Sequence, residues 1–362
     1  INDGGILFIY GLPKYLPFFA THLNQSKSLG YHYLFKYWIA LEANSSKRYN
    51  IFKNSHLGLL MYLKSKSKIS TTPFHINTKD IRIPYKYCSA CKNNIKDWGG
   101  KKHLMNPIGT AYSDVWSEQI IDLESANEFP QELFGLIRRL FDGEDTKILL
   151  IKQKYFSNND KSSKVSIEKI NNVSVDTLPS EEVNQVVHGD SIEYMSHIQE
   201  RFPLGVFDLA FADPPYNLAK NYNKYEDEQD EMNYVRWCNQ WLQGMCDVLK
   251  PGGALLVLNI PKWAVYHAEF LLDKMNFQHW IVWDALSTPA GKFLPAHYSL
   301  LYFTKPGAKP KNNYEQLKLI DSREYCLRMS CIKNRKNKGD DKKEELSDIW
   351  KDIHRIKHKK DR

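Results

Sequence analysis

Part of the chain is repeated at a distance that matches the size of a domain. Residues 4–15 read GGILFIYGLPKY and residues 252–263 read GGALLVLNIPKW, an ungapped match 248 residues apart. Four further pairs follow in the same order: YWIAL with VWDAL, HLGLL with HYSLL, YC with YC, and SDVW with SDIW. Chance similarity does not preserve order in this way, and a period of roughly 240 residues is too long for a solenoid repeat. We therefore predict two homologous domains in tandem.

The repeat predicts a division of the chain into three parts. Residues 1–151 form the N-terminal half, which corresponds to the later part of the repeated domain. Residues 152–180 are rich in Lys, Ser and Asn and are typical of a linker. Residues 181–362 form the C-terminal half, which also contains an earlier segment around residue 213. Its counterpart in the first copy would fall before residue 1, so we expect the chain to be cut inside both domains.

The C-terminal half alternates between strand and helix patterns. Short apolar runs predict strands, and longer amphipathic segments predict helices. The predicted strands are 183–187, 206–212, 254–260, 280–285 and 300–304, and the predicted helices are 191–201, 234–249 and 263–275. This alternation predicts an α/β fold, with a mostly parallel Rossmann-like sheet and helices on both of its faces.

Composition restricts the function only weakly. The net charge of +8 favours a polyanionic partner, although Lys-rich soluble proteins that bind no nucleic acid reach the same balance. No apolar run is long enough for a transmembrane helix, and no signal peptide is evident. Six cysteines in 362 residues do not make a disulfide scaffold. We expect a cytoplasmic protein with reduced thiols and no membrane partner.

The predicted strand at 206–212 ends abruptly at Asp213-Pro214-Pro215-Tyr216. Two consecutive prolines cannot continue a hydrogen-bonded ladder, so the strand must stop there. An acid, a stiff backbone and a phenol ring then lie at the carboxyl end of a strand, the edge at which open α/β sheets bind ligands. Taken alone, the four residues are equally compatible with an ordinary turn that has an acidic first residue.

The wider context resembles a known family. FADPPYN and, downstream, LKPGGALLVLNIPKW resemble the amino-group DNA methyltransferases that use S-adenosylmethionine, and the order of the parts resembles the beta group of that family. The resemblance implies that Asp213, Pro214, Pro215 and Tyr216 are catalytic and that each half carries a target-recognition insert. It implies S-adenosylmethionine as the cofactor and double-stranded DNA as a partner, with a restriction endonuclease as a second candidate partner.

The chemistry of this family explains the residue types. An exocyclic base amine is a poor nucleophile, because its lone pair is delocalised into the ring, and the base must first leave the duplex. Tyr216 would stack on the flipped base, which is worth about 1–3 kcal/mol. Asp213 and the Pro214 carbonyl would accept hydrogen bonds from the amine and direct its lone pair at the methyl group. An aspartate in the first position resembles the members that modify adenine.

The resemblance also implies a cofactor pocket. Asp190, Phe211, Asp213 and Asn217 would line it, and Lys220 would lie in the same cleft, against the nucleic acid. The turn at residues 188–190 follows a predicted strand, so an ordinary strand-to-helix turn with a capping acid is an alternative there.

One part of the family pattern is missing. The glycine-rich Gly-x-Gly loop that holds the cofactor does not occur in this chain. In the N-terminal half a predicted strand, 147–151, runs into Lys152-Gln153-Lys154-Tyr155 where the glycines should stand, and side chains would fill that space. We therefore expect weak cofactor binding. A DNA-binding remnant without activity is one alternative, and an amino-methyltransferase that acts on RNA or protein is another.

Two further groups of residues are ambiguous. Lys101 and Lys102 could contact phosphates or could belong to a solvated basic loop. Cys88 and Cys91 have the spacing of zinc ligands, but zinc needs four and a fourth is not evident. The cysteine pair of the C-terminal half, at 326 and 331, is spaced differently. We therefore predict reduced thiols and no metal site.

Overall fold

The structure is a computed structural model of the 362-residue chain. It describes residues 3–25, 27–28, 30–44, 52–67, 76–77, 80–95, 103, 105–122, 129–141, 177–219, 221–222, 225–226, 228–285, 293, 296–310, 319–322, 324–326, 328–340 and 342–351.

The described part contains both helices and strands. The helices are α1 (Leu16–Gln25), α2 (Gln131–Phe141), α3 (Ser191–Arg201), α4 (Glu231–Val248), α5 (Pro261–Leu272) and α6 (Met329–Lys338). The strands are β1 (Ile6–Gly11), β2 (Lys27–Ser28), β3 (Tyr31–Asn44), β4 (His56–Ser65), β5 (Val115–Asp122), β6 (Phe207–Ala212), β7 (Asn221–Tyr222), β8 (Tyr225–Glu226), β9 (Leu249–Asn259), β10 (Asn276–Asp284), β11 (His297–Thr304), β12 (Ile320–Asp321), β13 (Lys343–Glu344) and β14 (Ile349–Trp350). No described helix is both long and apolar enough to cross a bilayer.

Each half contributes one five-stranded sheet. The N-terminal sheet has the order β1-β4-β3-β2, with β5 beside β3, and the C-terminal sheet has the order β14-β10-β11-β9-β6. The predicted α/β class is confirmed, but the described C-terminal sheet is mixed rather than mostly parallel. β11 runs antiparallel to both β9 and β10, while β6–β9 and β10–β14 are parallel. β10 and β11 have no described helix between them, and a direct connection favours antiparallel pairing, whereas parallel strands need a crossover.

Most predicted elements of the C-terminal half are confirmed, with end points shifted by a few residues. The predicted strand at 183–187 is wrong, because these residues form an irregular segment after a short 3-10 helix at Ser180–Glu182. Val186 in this segment is 98% exposed. An apolar run becomes a strand only when a neighbour accepts its hydrogen bonds, and among the described strands β6 pairs with β9 alone.

The two sheets have the same pairing registers. Ile9 lies opposite Leu60 on β1 and β4, and Val257 lies opposite Leu301 on β9 and β11. Both long hairpins carry a bulge at matching positions, between residues 35 and 37 and between residues 277 and 279. By these registers Trp38 of the N-terminal sheet occupies the position of Trp280 in the C-terminal sheet. The repeat of YWIAL and VWDAL in the sequence had instead placed Trp38 at the position of Trp283. Matching residues are 248, 242 and 241 positions apart on the three strand pairs.

The two halves contribute to one large hydrophobic cluster, beside three smaller clusters among the described residues. Helix α1 packs against α5, and residues of both sheets belong to the same buried cluster. At its centre the rings of Trp38 and Trp280 stack 3.9 Å apart with an interplanar angle of 4°, and both side chains are almost fully buried. Contacts between matching residues are typical of a two-fold axis, so the halves meet like the subunits of a symmetric dimer.

Two buried carboxylates cross this interface. Asp348 Oδ1 accepts the Ser55 N–H at 2.8 Å and lies 3.2 Å from His56 Nδ1. Asp114 in the other half accepts the Ala296 N–H at 2.8 Å and lies 3.1 Å from Nδ1 of His297. Burial opposes ionisation of Asp348, but His56 and the Ser55 hydrogen bonds outweigh it and lower the pKa of the carboxyl group. Each half therefore supplies the partners of the other half's buried acid.

We expect Trp38→Ala and Trp280→Ala each to lower the free energy of unfolding by about 3–5 kcal/mol, because each removes a buried indole from the shared core. The two losses should not add, since the stacked pair contributes about 0.5–1.5 kcal/mol beyond its burial. Urea denaturation of the single and double variants measures this coupling. Trp237 is half-buried on α4, so its alanine variant is the control and should show no coupling to Trp280→Ala. Fully additive Trp38 and Trp280 losses would contradict the stacking.

Stability should also fall as the pH drops from about 6.5 to 4. Burial lowers the pKa of His279 to about 4, and its Nε2 accepts the Phe52 N–H at 3.2 Å only while the ring is neutral. An unfolded histidine has a pKa near 6.5, so in this window the unfolded state binds a proton that the folded state excludes. The slope is up to about 1.4 kcal/mol per pH unit for each such histidine.

Urea denaturation between pH 7 and 4 tests this expectation. His279→Gln should flatten the pH dependence, because the variant has no imidazole to protonate on unfolding. His22 is exposed on α1, so His22→Gln should leave the wild-type slope in place. Equal slopes in all three proteins would show that His279 is not the group responsible.

Candidate functional site

The predicted catalytic motif lies where β6 ends. Ala212, the last residue of the strand, is buried, whereas Phe211 and Asp213 on either side of it are exposed. Adjacent side chains of a strand point to opposite faces, so the Asp213 carboxylate continues the exposed face that carries Phe211. The carboxylate is thus accessible at the carboxyl end of a strand.

Asp213 and Tyr216 are in direct contact. The Tyr216 hydroxyl donates a hydrogen bond of 2.6 Å to Asp213 Oδ1. Burial, followed by this hydrogen bond, raises the pKa of Tyr216, so the phenol stays protonated as a donor at neutral pH. Its ring centroid lies 5.7 Å from that of Tyr298 on β11, which in turn lies 5.3 Å from that of Trp283 on β10. The sheet therefore places an aromatic row beside the carboxylate.

The backbone of the motif is held from behind by two helices. The Tyr234 hydroxyl donates to the Pro215 carbonyl at 2.5 Å, and Trp263 Nε1 donates to the Tyr216 carbonyl at 2.7 Å. Among the described residues, by contrast, the Pro214 carbonyl accepts no hydrogen bond. The carbonyl next to Asp213 thus remains an acceptor, while the two that follow it are occupied.

Both supporting side chains lie in the first turn of a helix. Asp230 caps α4 by accepting the backbone N–H groups of Met232 and Asn233, which brings Tyr234 under the motif. Helix α5 starts directly after β9 with Pro261 at its first position, a residue that favours helix starts.

Asn259, at the end of β9, joins the two supports. Its side chain is fully buried, and Nδ2 lies 3.2 Å from the Tyr234 hydroxyl and 2.9 Å from His267 Nε2. Its Oδ1 accepts the Ile260 N–H at 2.8 Å. Burial lowers the pKa of His267 to about 3, so the ring is neutral and can accept a hydrogen bond from the asparagine. The amide thereby fixes the strand end, α4 and α5 relative to one another.

Sequence reasoning missed Tyr234, Trp263 and His267 as parts of the site. Trp263 belongs to the repeated PKW/PKY segment. Its position just after a predicted strand was the one signal in the sequence that could have assigned it to the site. Tyr234 and His267 look like ordinary helix residues in the sequence. Only the packing of α4 and α5 beneath the loop shows what they hold.

Asn217 is placed behind the motif and acts on the backbone. It has a φ of 52° in the left-handed region, which asparagine tolerates better than most residues. Its side-chain amide donates to the Gln229 carbonyl at 2.9 Å and accepts the Gln229 N–H at 2.7 Å. These bonds tie the loop after the motif to the start of α4. Lys220, predicted to line the same cleft, lies outside the described residues.

Asp190 is exposed and caps α3, since its Oδ1 accepts the Ile192 N–H at 2.7 Å. The structure thus contains the capping acid that the sequence offered as the alternative, although an irregular segment rather than a strand precedes it. The residue also lines an open groove with Val187, Tyr194 and Phe207. Its part in cofactor binding stays a prediction.

The described residues fit the amine that receives the methyl group better than they fit the cofactor that supplies it. Asp213, Pro214 and Tyr216 offer acceptors and a ring to a planar amine. For the cofactor they offer exposed Phe211 and Asp190, with no glycine-rich turn to hold a methionine moiety. Residues 147–155, where the sequence predicts that the turn is replaced, lie outside the described residues, as do Lys101 and Lys102.

The structure changes the interpretation of the cysteines. Cys88 and Cys91 do not stand alone, because the fold brings them together with Cys326 and Cys331 of the C-terminal half. All four sulfur atoms lie within 4.8 Å of one another, and all four cysteines are free. The unequal spacing of the two pairs, C-x2-C and C-x4-C, concealed this arrangement in the sequence.

Known proteins resemble parts of this chain. Residues 207–362 match a protein-family model described as DNA methylase. The type II methyltransferase M.BamHI of Bacillus amyloliquefaciens is 34% identical over 216 residues, which cover 56% of this chain and 50% of that protein. The DNA adenine methyltransferase YhdJ of Escherichia coli is 31% identical over 78 residues, covering 22% and 25%. The crystal structure of an M1.HpyAVI–SAM complex is 22% identical, covers 36% of this chain and 60% of that one, and has a TM-score of 0.25.

The C-terminal half is thus an α/β unit with an exposed Asp-Pro-Pro-Tyr loop at the end of a strand. Residues 207–362 match the DNA methylase family model, and M.BamHI is similar to this chain, so the resemblance seen in the sequence is confirmed. The chain spans half the length of M.BamHI and a quarter of the length of YhdJ.

We expect Asn259→Ala to destabilise the protein, because it leaves the Tyr234 hydroxyl, the His267 ring and the Ile260 N–H without their buried partner. Each unsatisfied buried group costs about 1–3 kcal/mol. Urea denaturation should therefore show a loss of at least about 1 kcal/mol. Asn233→Ala removes an exposed asparagine of α4 and is the matched control. Equal stability of the two variants would show that Asn259 does not join the strand end to the helices.

Proposed function

We propose that the C-terminal half transfers a methyl group from S-adenosylmethionine to the exocyclic amine of a base that has left the DNA duplex. The observation that best supports this proposal is the pair of acceptors at the end of β6. The exposed Asp213 carboxylate lies beside the Pro214 carbonyl, which has no partner among the described residues. The next two carbonyls are held by Tyr234 and Trp263.

A planar amine carries two N–H donors, and two acceptors suit it. Hydrogen bonds to Asp213 and to the Pro214 carbonyl would draw the nitrogen toward tetrahedral geometry and free its lone pair from the ring. Bound S-adenosylmethionine would supply the methyl group as an electrophile. Asp213 need not be a strong base, since the amine can lose its proton after the transfer. Acceptors fixed before the reaction stabilise the developing positive charge without reorganising.

Tyr216 would hold the base itself. Its ring belongs to the aromatic row with Tyr298 and Trp283, and stacking on a flipped base is worth about 1–3 kcal/mol. The hydrogen bond from Tyr216 to Asp213 would fix the ring while the site is empty of DNA. An arriving amine would then share the carboxylate with the phenol, which uses Oδ1.

We further propose adenine as the target base. The aspartate at the first position of the motif resembles the members that modify adenine, and YhdJ is named as a DNA adenine methyltransferase. The N-terminal half would be the non-catalytic partner, because Gly11 stands where the C-terminal half has Asn259. Lys101 and Lys102 would contact phosphates from this half, and a restriction endonuclease would share the recognition sequence.

Methyl transfer to unmethylated genomic DNA, which contains every short recognition sequence, tests the proposal. The full chain is incubated with labelled S-adenosylmethionine at high concentration, because the missing glycine loop predicts weak binding. Digestion to nucleosides then separates N6-methyladenine from N4-methylcytosine. We expect label in N6-methyladenine and a loss of at least about 100-fold in Asp213→Ala.

Asp208→Ala provides the matched control, since Asp208 is an exposed carboxylate on the same strand that pairs with Lys250 at 3.0 Å. This variant should keep the wild-type rate. Label in N4-methylcytosine would overturn the choice of adenine. DNA binding without any transfer would identify a non-catalytic DNA-binding protein, and equal rates in the two aspartate variants would remove Asp213 from the reaction.

A further inference from the structure

We propose that Cys88, Cys91, Cys326 and Cys331 bind one structural zinc ion that joins the two halves of the chain. Each half contributes two of the four ligands. The site is separate from the Asp-Pro-Pro-Tyr loop and does not depend on the proposed function.

The distances between the sulfur atoms suit a tetrahedral site. Zinc–thiolate bonds are about 2.3 Å long, so two sulfurs of a tetrahedral site lie roughly 3.8 Å apart. Sγ of Cys88 lies 3.7 Å from that of Cys331, and Sγ of Cys91 lies 3.6 Å from that of Cys326. All pairs are within 4.8 Å, so one small ion can contact all four sulfurs.

The spacing in the chain is that of zinc ligands as well. Cys88 and Cys91 form a C-x2-C pair and Cys326 and Cys331 a C-x4-C pair, both within the usual range for structural zinc. The first pair lies in a tight turn in which Lys92 N–H donates to the Cys88 carbonyl at 2.9 Å. Lys92 adopts a φ of 58°, which turns the chain sharply after the second ligand.

An ordinary hydrophobic cluster does not explain this arrangement. The buried members of the cluster are three of the cysteines and Tyr325, with Cys91 and Ile95 packed against them. Thiols provide little apolar surface, and a core this small would stabilise two loops only weakly. A metal supplies the missing stabilisation, as it does in other small sites with few apolar side chains.

The surroundings suit a centre of negative charge. Four thiolates around Zn²⁺ leave a net charge of −2, which needs nearby cations or N–H donors. Arg335 is buried beside the site, and its Nη1 lies 3.3 Å from Cys331 Sγ and 3.3 Å from the Cys326 carbonyl. Asp321 accepts from Nη2 of the same guanidinium at 2.8 Å, which holds the arginine in place.

The site bridges segments that are far apart in the sequence. The Ser89 N–H donates to the Glu324 carbonyl at 3.0 Å, and the Arg328 guanidinium donates to the Asn94 carbonyl at 2.6 Å. These contacts bring together the two cysteine pairs, one from each half of the chain. The ion would therefore fix the parts of the two halves that lie beyond the sheets.

Metal analysis of the intact chain, purified under reducing conditions, provides the test. We expect one zinc per chain by mass spectrometry of the metal content, and none in Cys326→Ser/Cys331→Ser. Cys238→Ala/Cys246→Ala is the control, because these two cysteines lie in the core on α4 away from the site, and it should keep the zinc. Cys91→His, which retains a zinc ligand, should bind zinc more tightly than Cys91→Ala.

A measurement on the wild-type chain guards against variants that fail to fold. After removal of zinc with a chelator, added Co²⁺ should give the visible absorption of a tetrahedral thiolate site at one equivalent, and the melting temperature should rise with zinc. A wild-type chain without stoichiometric zinc that forms two disulfides instead would overturn the proposal. So would stoichiometric iron in place of zinc, or an equal zinc content in wild type and the double-serine variant.

Discussion

The contact between the two halves is the interaction on which the rest of the structure depends. Trp38 and Trp280 stack at its centre, and the buried acids Asp114 and Asp348 find their partners only across it. A buried carboxylate without a partner costs several kcal/mol, so neither half satisfies its own polar groups alone. Helix α5 connects this contact to the candidate site. It packs against α1 of the other half, and the Nε1–H of its Trp263 donates a hydrogen bond to the Tyr216 carbonyl of the Asp-Pro-Pro-Tyr loop.

The same symmetry recurs at three levels of the interface. Matching tryptophans stack, matching aspartate–histidine pairs cross, and two cysteine pairs meet. A closed two-fold contact arises when one surface binds a copy of itself, which explains why each interaction occurs twice or lies at the axis. We propose on this basis that a duplicated domain meets its own copy within one chain. The zinc ion would extend that contact to the segments outside the sheets.

The candidate site is unequal in the two halves even though the sheets correspond. Asn259 joins β9 to α4 and α5, whereas the matching position in the N-terminal half is Gly11, which has no side chain for this task. The proposed division of labour follows, with one half holding the base and the other contributing to the shared core. Because the buried side chains of Tyr234 and Trp263 donate hydrogen bonds to backbone carbonyls of the loop, its acceptors would need little rearrangement when an amine arrives.

The sequence by itself determined the local features of this protein. Two prolines stop β6 before Tyr216, the helices of the C-terminal half follow their apolar periodicity, and the internal repeat is visible in the order of its segments. Tertiary structure alone decided which tryptophans match, that residues 183–187 form no strand, that Tyr234 holds Pro215, and that four cysteines meet. The physical reason is range: periodicity and turn chemistry act between neighbours in the chain. The stack, the crossed acids and the cysteine cluster, by contrast, join residues that are 182 to 293 positions apart and come together only when both sheets pack.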